Sequence, residues 1–126
     1  MINSVHITIV GNVVGPPELT QNRAGVPCAN FRVASTSRRY DRNASAWAQG
    51  ETINLVVRCW HALAINVAAG LEDGLPVIVH GRLSTVKTTT QGPDGPRGQS
   101  ETVLQASSIG LDMARMPASG AVDEAA

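Results

Sequence analysis

The sequence predicts an all-β domain: five strands able to close into a small barrel, with one short helix between the third and fourth. Three observations carry that prediction. Five runs alternate apolar and polar side chains with the period of a strand, one window after Ala62 shifts to a spacing of four, and clusters of Gly, Pro, Asn and Ser separate the runs. With 126 residues, 43% of them hydrophobic, the chain has apolar surface for one core and little beyond it. A single domain is therefore expected over residues 1–111, followed by a flexible tail over 112–126.

In "VHITIVGN", Val5, Ile7 and Ile9 alternate with His6, Thr8 and Val10, a first strand that Gly11-Asn12 would end. "VGPPELTQNRAGVP" is rich in turn formers, and Pro16-Pro17 blocks a helix start before Glu18, so this stretch is expected as a connection. "CANFRVAST" is a second strand with Ala29, Phe31 and Val33 on one face and Asn30, Arg32 and Ala34 on the other. "SRRYDRNASAWAQG" is expected as a polar loop, although it holds Tyr40 and Trp47. In the third strand, "ETINLVVRCW", Ile53, Leu55, Val57 and Cys59 form an apolar row, while Asn54, Val56, Arg58 and Trp60 form a mixed row of the kind that touches a ligand. Leu63, Val67 and Leu71, flanked by Ala64 and Ala68, then make the stripe of a short helix whose end is frayed by Gly70 and Gly74. "LPVIVHGRLSTVKTT" is the fourth strand, bent or bulged at Gly81. "TQGPDGPRGQS" is expected as a long hairpin loop, "ETVLQASSIGL" as the fifth strand, and "DMARMPASGAVDEAA" has no apolar period.

The order β-β-β-α-β-β is that of the OB-fold, a five-stranded, partly open barrel that commonly binds oligonucleotides or oligosaccharides. Order alone does not give function, which depends on the site the barrel carries.

A formal net charge of +0 gives no overall pull toward nucleic acid or an anionic membrane, yet the charge is unevenly spread. Between residues 23 and 58 stand Arg23, Arg32, Arg38, Arg39, Arg42 and Arg58 against Asp41 and Glu51 alone. Because exposed charges are screened beyond about 10 Å, such a local field can steer a polyanion in a neutral protein. On charge alone, solvated arginines around a loop explain it equally well. No apolar run is long enough to span a bilayer, and the opening residues lack the pattern of a secretory leader, so no membrane contact and a cytoplasmic location are expected. Cys28 and Cys59 lie inside apolar stretches and read as reduced core thiols. His6, His61 and His80 are accompanied by no nucleophile elbow, phosphate loop or metal-spaced cluster. No enzyme activity, cofactor or metal is expected, and His6 and His80 read as surface or interface residues.

Several stretches, in order and at matching spacing, resemble the bacterial single-stranded-DNA-binding proteins. They are Ile7-Thr8-Ile9-Val10-Gly11-Asn12, Pro17-Glu18-Leu19, Asn30-Phe31-Arg32-Val33-Ala34, Glu51-Thr52, Trp60 with Ala64, and Val77-Ile78-Val79-His80-Gly81-Arg82-Leu83, which together cover roughly residues 5–110. The resemblance implies an OB barrel, assembled as a homotetramer, that binds and coats single-stranded DNA without strong sequence preference in replication, recombination or repair. Binding of that kind combines a basic groove for phosphates with aromatic rings on which bases stack. It points to Trp60 and Tyr40 as stacking platforms. The candidate DNA-binding set is Arg32, Arg38, Arg39, Tyr40, Arg42, Trp47, Asn54, Arg58, Trp60, Arg82 and Lys87. For Trp47 two roles stand open, stacking a base or pinning its own loop.

The chain also departs from the family pattern. Asn54 and Thr88 stand where tryptophans are common, and Thr20 stands where a basic residue often follows "PEL". With Phe31 assigned to the core, at most three rings remain for stacking, so binding should lean more on arginine and fall more steeply with salt. The sequence ends at "VDEAA" without the terminal aromatic of the usual acidic tip. That puts docking of repair and replication enzymes through the tip in doubt and fits a short paralogue. The alternative is an OB module for protein interaction, such as a primosome-type accessory factor with weak or no DNA binding.

Overall fold

Strand alternation decides which side chains close on one another, and in this chain it closes a barrel. The computed structural model describes residues 4–116. Its elements are β1 (His6–Gln21), β2 (Pro27–Asp41), β3 (Ala46–Trp60), α1 (His61–Gly70), β4 (Pro76–Gly92) and β5 (Gly95–Leu111). The strands follow one another around a closed barrel as β1-β2-β3-β5-β4. All neighbours are antiparallel except β3 and β5, which meet in parallel over Val56, Val57 and Arg58 opposite Val103, Leu104 and Gln105. The helix makes that parallel contact possible by carrying the chain from the end of β3 to the start of β4. No helix among the described residues is long and apolar enough to cross a membrane.

The core is the inward half of each alternating run. Ala29, Phe31 and Val33 of β2 stand opposite Cys59, Val57 and Leu55 of β3, and they pack with Ile9, Val13, Val77, Val79 and Leu104. Ala64 and Val67 of α1 complete the cluster, with Leu63 and Leu71 partly buried beside them. Burying a side chain such as Val57 or Leu104 stabilises the fold by about 1.5–3 kcal/mol each. Cys28 and Cys59 are both buried and unpaired. Burial pushes the Cys59 thiol up to about 11, with the nearby Cys28 adding to the effect.

Two glycines carry close approaches. A Cβ at Gly11 would run into the Ala34 carbonyl, and one at Gly81 would run into the Gln105 carbonyl with Ala106 Cα at 2.8 Å. Gly81 also marks the register shift of the β4–β5 ladder, the bulge the sequence predicts there.

The strands run further than the residue pattern implies. β1 does not end at Gly11-Asn12: it shifts register between Val14 and Glu18 and pairs again through Gln21, opposite Pro27. Pro16-Pro17 falls inside that irregularity, where a missing N–H costs no ladder bond, and Gly15 takes a φ of 77° there. The stretch read as a polar loop from Ser37 is a hairpin instead, paired as far as Asp41 opposite Ala46. The Asp41 carboxylate closes its turn by accepting from the backbone N–H of Asn43 at 2.9 Å. Likewise "TQGPDGPRGQS" is no long loop, because β4 and β5 stay paired down to Gly92 opposite Gly95, leaving a two-residue turn at Pro93-Asp94. Ile53, placed in the buried row by alternation, is 62% exposed because the β2–β3 hairpin has left the barrel by that point. After β5, Arg115 donates to the Gly11 carbonyl at 2.7 Å and to Asn12 Oδ1 at 2.9 Å. Most of the expected tail, residues 117–126, lies outside the described residues.

Candidate nucleic-acid interface

Pairing across the ladders lines up one outward row around much of the barrel. Glu18 stands opposite Asn30, Asn30 opposite Arg58, Arg58 opposite Gln105, and Gln105 opposite Arg82. The central members alternate with buried neighbours: Ala29 and Phe31 flank Asn30, and Val57 and Cys59 flank Arg58. The inward residues hold the strands, and the row faces out.

Side-chain hydrogen bonds fix the centre of this row. Arg58 Nε donates to Asn30 Oδ1 at 2.9 Å, which orients the guanidinium while leaving its terminal nitrogens free of that bond. The Trp60 indole N–H donates to Gln105 Oε1 at 3.0 Å, and Gln105 Nε2 in turn donates to Ser84 Oγ at 3.2 Å. Trp60 is half-buried and tethered by its edge, so its ring orientation is set before any ligand arrives. A cleft of about 410 Å3 opens beside this centre, with Arg32, Arg58 and Asn30 along it and Val56 on its apolar wall.

The β2–β3 hairpin carries the second group. Tyr40 stands opposite Trp47, and their rings meet edge-on with centroids 5.6 Å apart at 70°. Trp47 is nevertheless 67% exposed and Tyr40 49%. Trp47 thus holds its own hairpin through Tyr40 and still presents ring surface to solvent. A larger cleft of about 1100 Å3 lies between this hairpin and β1, with Arg38 and Trp47 on one side and Asn12 and Arg115 on the other.

The structure brings Arg32, Arg58 and Trp60 into one patch, with Arg82 further along the same row beyond Gln105. Asn54, opposite Ala34, is exposed next to Val56 on that face. Arg38, Tyr40, Arg42 and Trp47 belong to the hairpin and its turn. The backbone of Arg39 pairs with Ala48 there, and its side chain lies outside the described residues. Lys87 is exposed on β4, opposite Ser100 on the other long hairpin, away from the central row. Sequence reasoning missed Asn30 and Gln105 as the anchors of Arg58 and Trp60. Nothing local marks Gln105, because its relation to Trp60 depends on a parallel pairing of strands far apart in the chain. Among the described residues no group of three or more His, Cys, Asp or Glu is placed to hold a metal ion.

Comparison with known proteins places the chain and its barrel among relatives. The crystal structure of the small single-stranded DNA-binding protein from Streptomyces coelicolor superposes with a TM-score of 0.76 at 34% identity, covering 91% of this chain and 100% of that one. The single-stranded DNA-binding protein of Corynebacterium glutamicum is 46% identical over 82 residues, 65% of this chain and 36% of that protein. That of Paenarthrobacter nicotinovorans is 39% identical over 105 residues, 83% of this chain and 59% of that protein. The chain thus spans between about a third and three fifths of the length of these two relatives. The model of the single-strand binding protein family matches residues 3–112, which contain all five strands and the helix. This chain belongs to the single-strand binding protein family.

Proposed function

We propose that this protein binds and coats single-stranded DNA, serving replication, recombination or repair in the cytoplasm, and that it does so as a homotetramer without catalysing a reaction. The observation that carries the reading is the central row. A guanidinium oriented by Asn30 and an indole oriented by Gln105 sit side by side on the outer face of one barrel. Phosphate needs the first and an unpaired base the second. Arg32 extends the cationic side, and the Tyr40–Trp47 hairpin offers further ring surface. Duplex DNA hides its ring faces in the stack, so single strands are the ligand this combination suits.

Assembly into a tetramer is supported by a different face. Val10 of β1 stands opposite Ile78 of β4, and both apolar side chains point outward, 44% and 39% exposed. His6 and His80 lie on the same face with their rings stacked, centroids 6.4 Å apart. Two-fold pairing of such a face with its own copy would bury it. One barrel alone covers only about 4–16 nucleotides, so several copies would extend the site.

The test is a fluorescence titration. Oligothymidine should quench tryptophan emission and shift mobility at micromolar concentration and low salt, and the matching duplex should do neither. Unchanged emission and mobility would reject the reading.

A further inference from the structure

The cleft between Arg32 and Arg58 holds two carboxylates that a groove built only to follow phosphates would not contain. Glu18 comes from β1, opposite Asn30, and Glu101 from β5, and both line the same cleft of about 410 Å3 as the two arginines. Among the described residues the ion pairs are Arg97–Asp94 and Arg115–Asp112, so neither Glu18 nor Glu101 is tied to the guanidinium groups beside it. Both side chains are exposed to an incoming strand. Toward a phosphate a carboxylate only repels. Toward a base it is a pure acceptor, able to take two N–H donors side by side.

Of the four bases, guanine alone presents both an adjacent donor pair, N1–H with N2–H2, and an adjacent acceptor pair, O6 with N7. The donor pair matches a carboxylate and the acceptor pair a guanidinium. Thymine would turn carbonyl oxygens toward the carboxylates, and adenine and cytosine would each set a bare ring nitrogen beside their single amine. Arg58, oriented by its Nε bond to Asn30, is assigned to phosphate in the reading above, which leaves Arg32, lining the same cleft, to meet O6 and N7.

We propose that this cleft is a guanine-selective subsite, with Glu18 and Glu101 taking the donor edge of an unstacked guanine and Arg32 its acceptor edge. The inference rests on the single-strand-binding reading above. It adds one base-reading position to contacts that otherwise follow backbone and ring faces.

The experiment is a competition against labelled oligothymidine at fixed salt. The competitors are a plain thymidine oligomer, the same oligomer with a few isolated guanines too sparse to form quadruplexes, and the same with inosine, which lacks the N2 amine. The guanine oligomer should compete at least about fivefold better than plain thymidine, the low end for one bidentate base contact, and inosine should lose most of that gain. In the double variant Glu18→Gln/Glu101→Gln the guanine preference should disappear while oligothymidine binds more tightly, since two negative charges have left the groove. Equal competition by all three oligomers, with oligothymidine bound, would overturn the subsite and leave single-strand binding standing. A double variant that keeps the guanine preference would overturn it as well. Failure of every oligomer to bind would overturn both readings.

Discussion

Arg58 combines a charge with a directed hydrogen bond, and substitutions can separate the two. Arg58→Ala removes both, so affinity for single-stranded DNA should fall and the slope of log affinity against log salt should shrink by about 0.7, the value for one phosphate contact. Arg58→Lys keeps the charge but loses the Nε–H given to Asn30. Its salt slope should stay near that of the parent while its affinity drops, measured by the same titration at several salt concentrations. Trp60→Ala should weaken binding by about 1–3 kcal/mol, since the proposed stacking platform is gone. Cys59 gives a prediction about the fold instead. Burial first, and Cys28 second, raise its thiol from 9.0 to about 11, so the native state holds this proton more tightly than the unfolded chain. Its contribution is complete below pH 9 and is lost as pH rises through 11, by about 2–3 kcal/mol. Urea midpoints at pH 8 and pH 11 should therefore differ less for Cys59→Ala than for the parent, because the variant has no thiol to titrate.

The long β4–β5 hairpin contains both a glycine that cannot change and one that can. At Gly81 the atoms a new methyl would meet are backbone, the Gln105 carbonyl and Ala106 Cα, so no side chain can swing away. Gly81→Ala should lower stability by about 1–3 kcal/mol, the usual cost of overpacking. Gly98→Ala, where nothing lies within 4 Å, should leave the melting temperature unchanged or slightly higher. The same hairpin shows what the sequence could and could not tell. Alternation located all five strands and a spacing of four located the helix, because burial on one face imposes a period that local reading detects, while the glycine itself marked the bulge at Gly81. Element ends were hidden because they depend on a partner. Gly92 and Gly95 belong to a ladder only because the opposing strand is there, and Tyr40 and Trp47 form a pair only once β2 and β3 have been aligned from Cys28 onward. Parity alone put Arg58 and Trp60 together on the outward face of β3. Asn30 and Gln105, which orient them, were not legible, since that requires register between strands. Ile53 shows the limit of parity: the alternation is correct, but the strand has already left the core.

The proposed assembly would use the outward face of β1 and β4, where Val10 and Ile78 are exposed. Replacing Ile78 by Lys places a charge beside Val10 on the outward side of β1 and β4, where the barrel itself makes no use of the residue. Light scattering should give a tetramer for the parent and a smaller species for Ile78→Lys, with the circular dichroism of the two alike. A parent of monomer mass at micromolar concentration would reject the tetramer. The ladders around the barrel are unequal in another respect. β4 and β5 are joined along nearly their full length, whereas β3 and β5 meet at three residue pairs only. That short parallel contact is where the cylinder has least to break, so those amide protons of residues 56–58 and 103–105 that bond across it should exchange with deuterium sooner than those in the middle of β4. Arg58 and Gln105 flank that seam, and a nucleotide strand lying over them would bridge its two sides like a staple. Saturating the protein with oligothymidine should then slow exchange at those seam amides more than elsewhere in the barrel, making the ligand a temporary part of the wall it rests on.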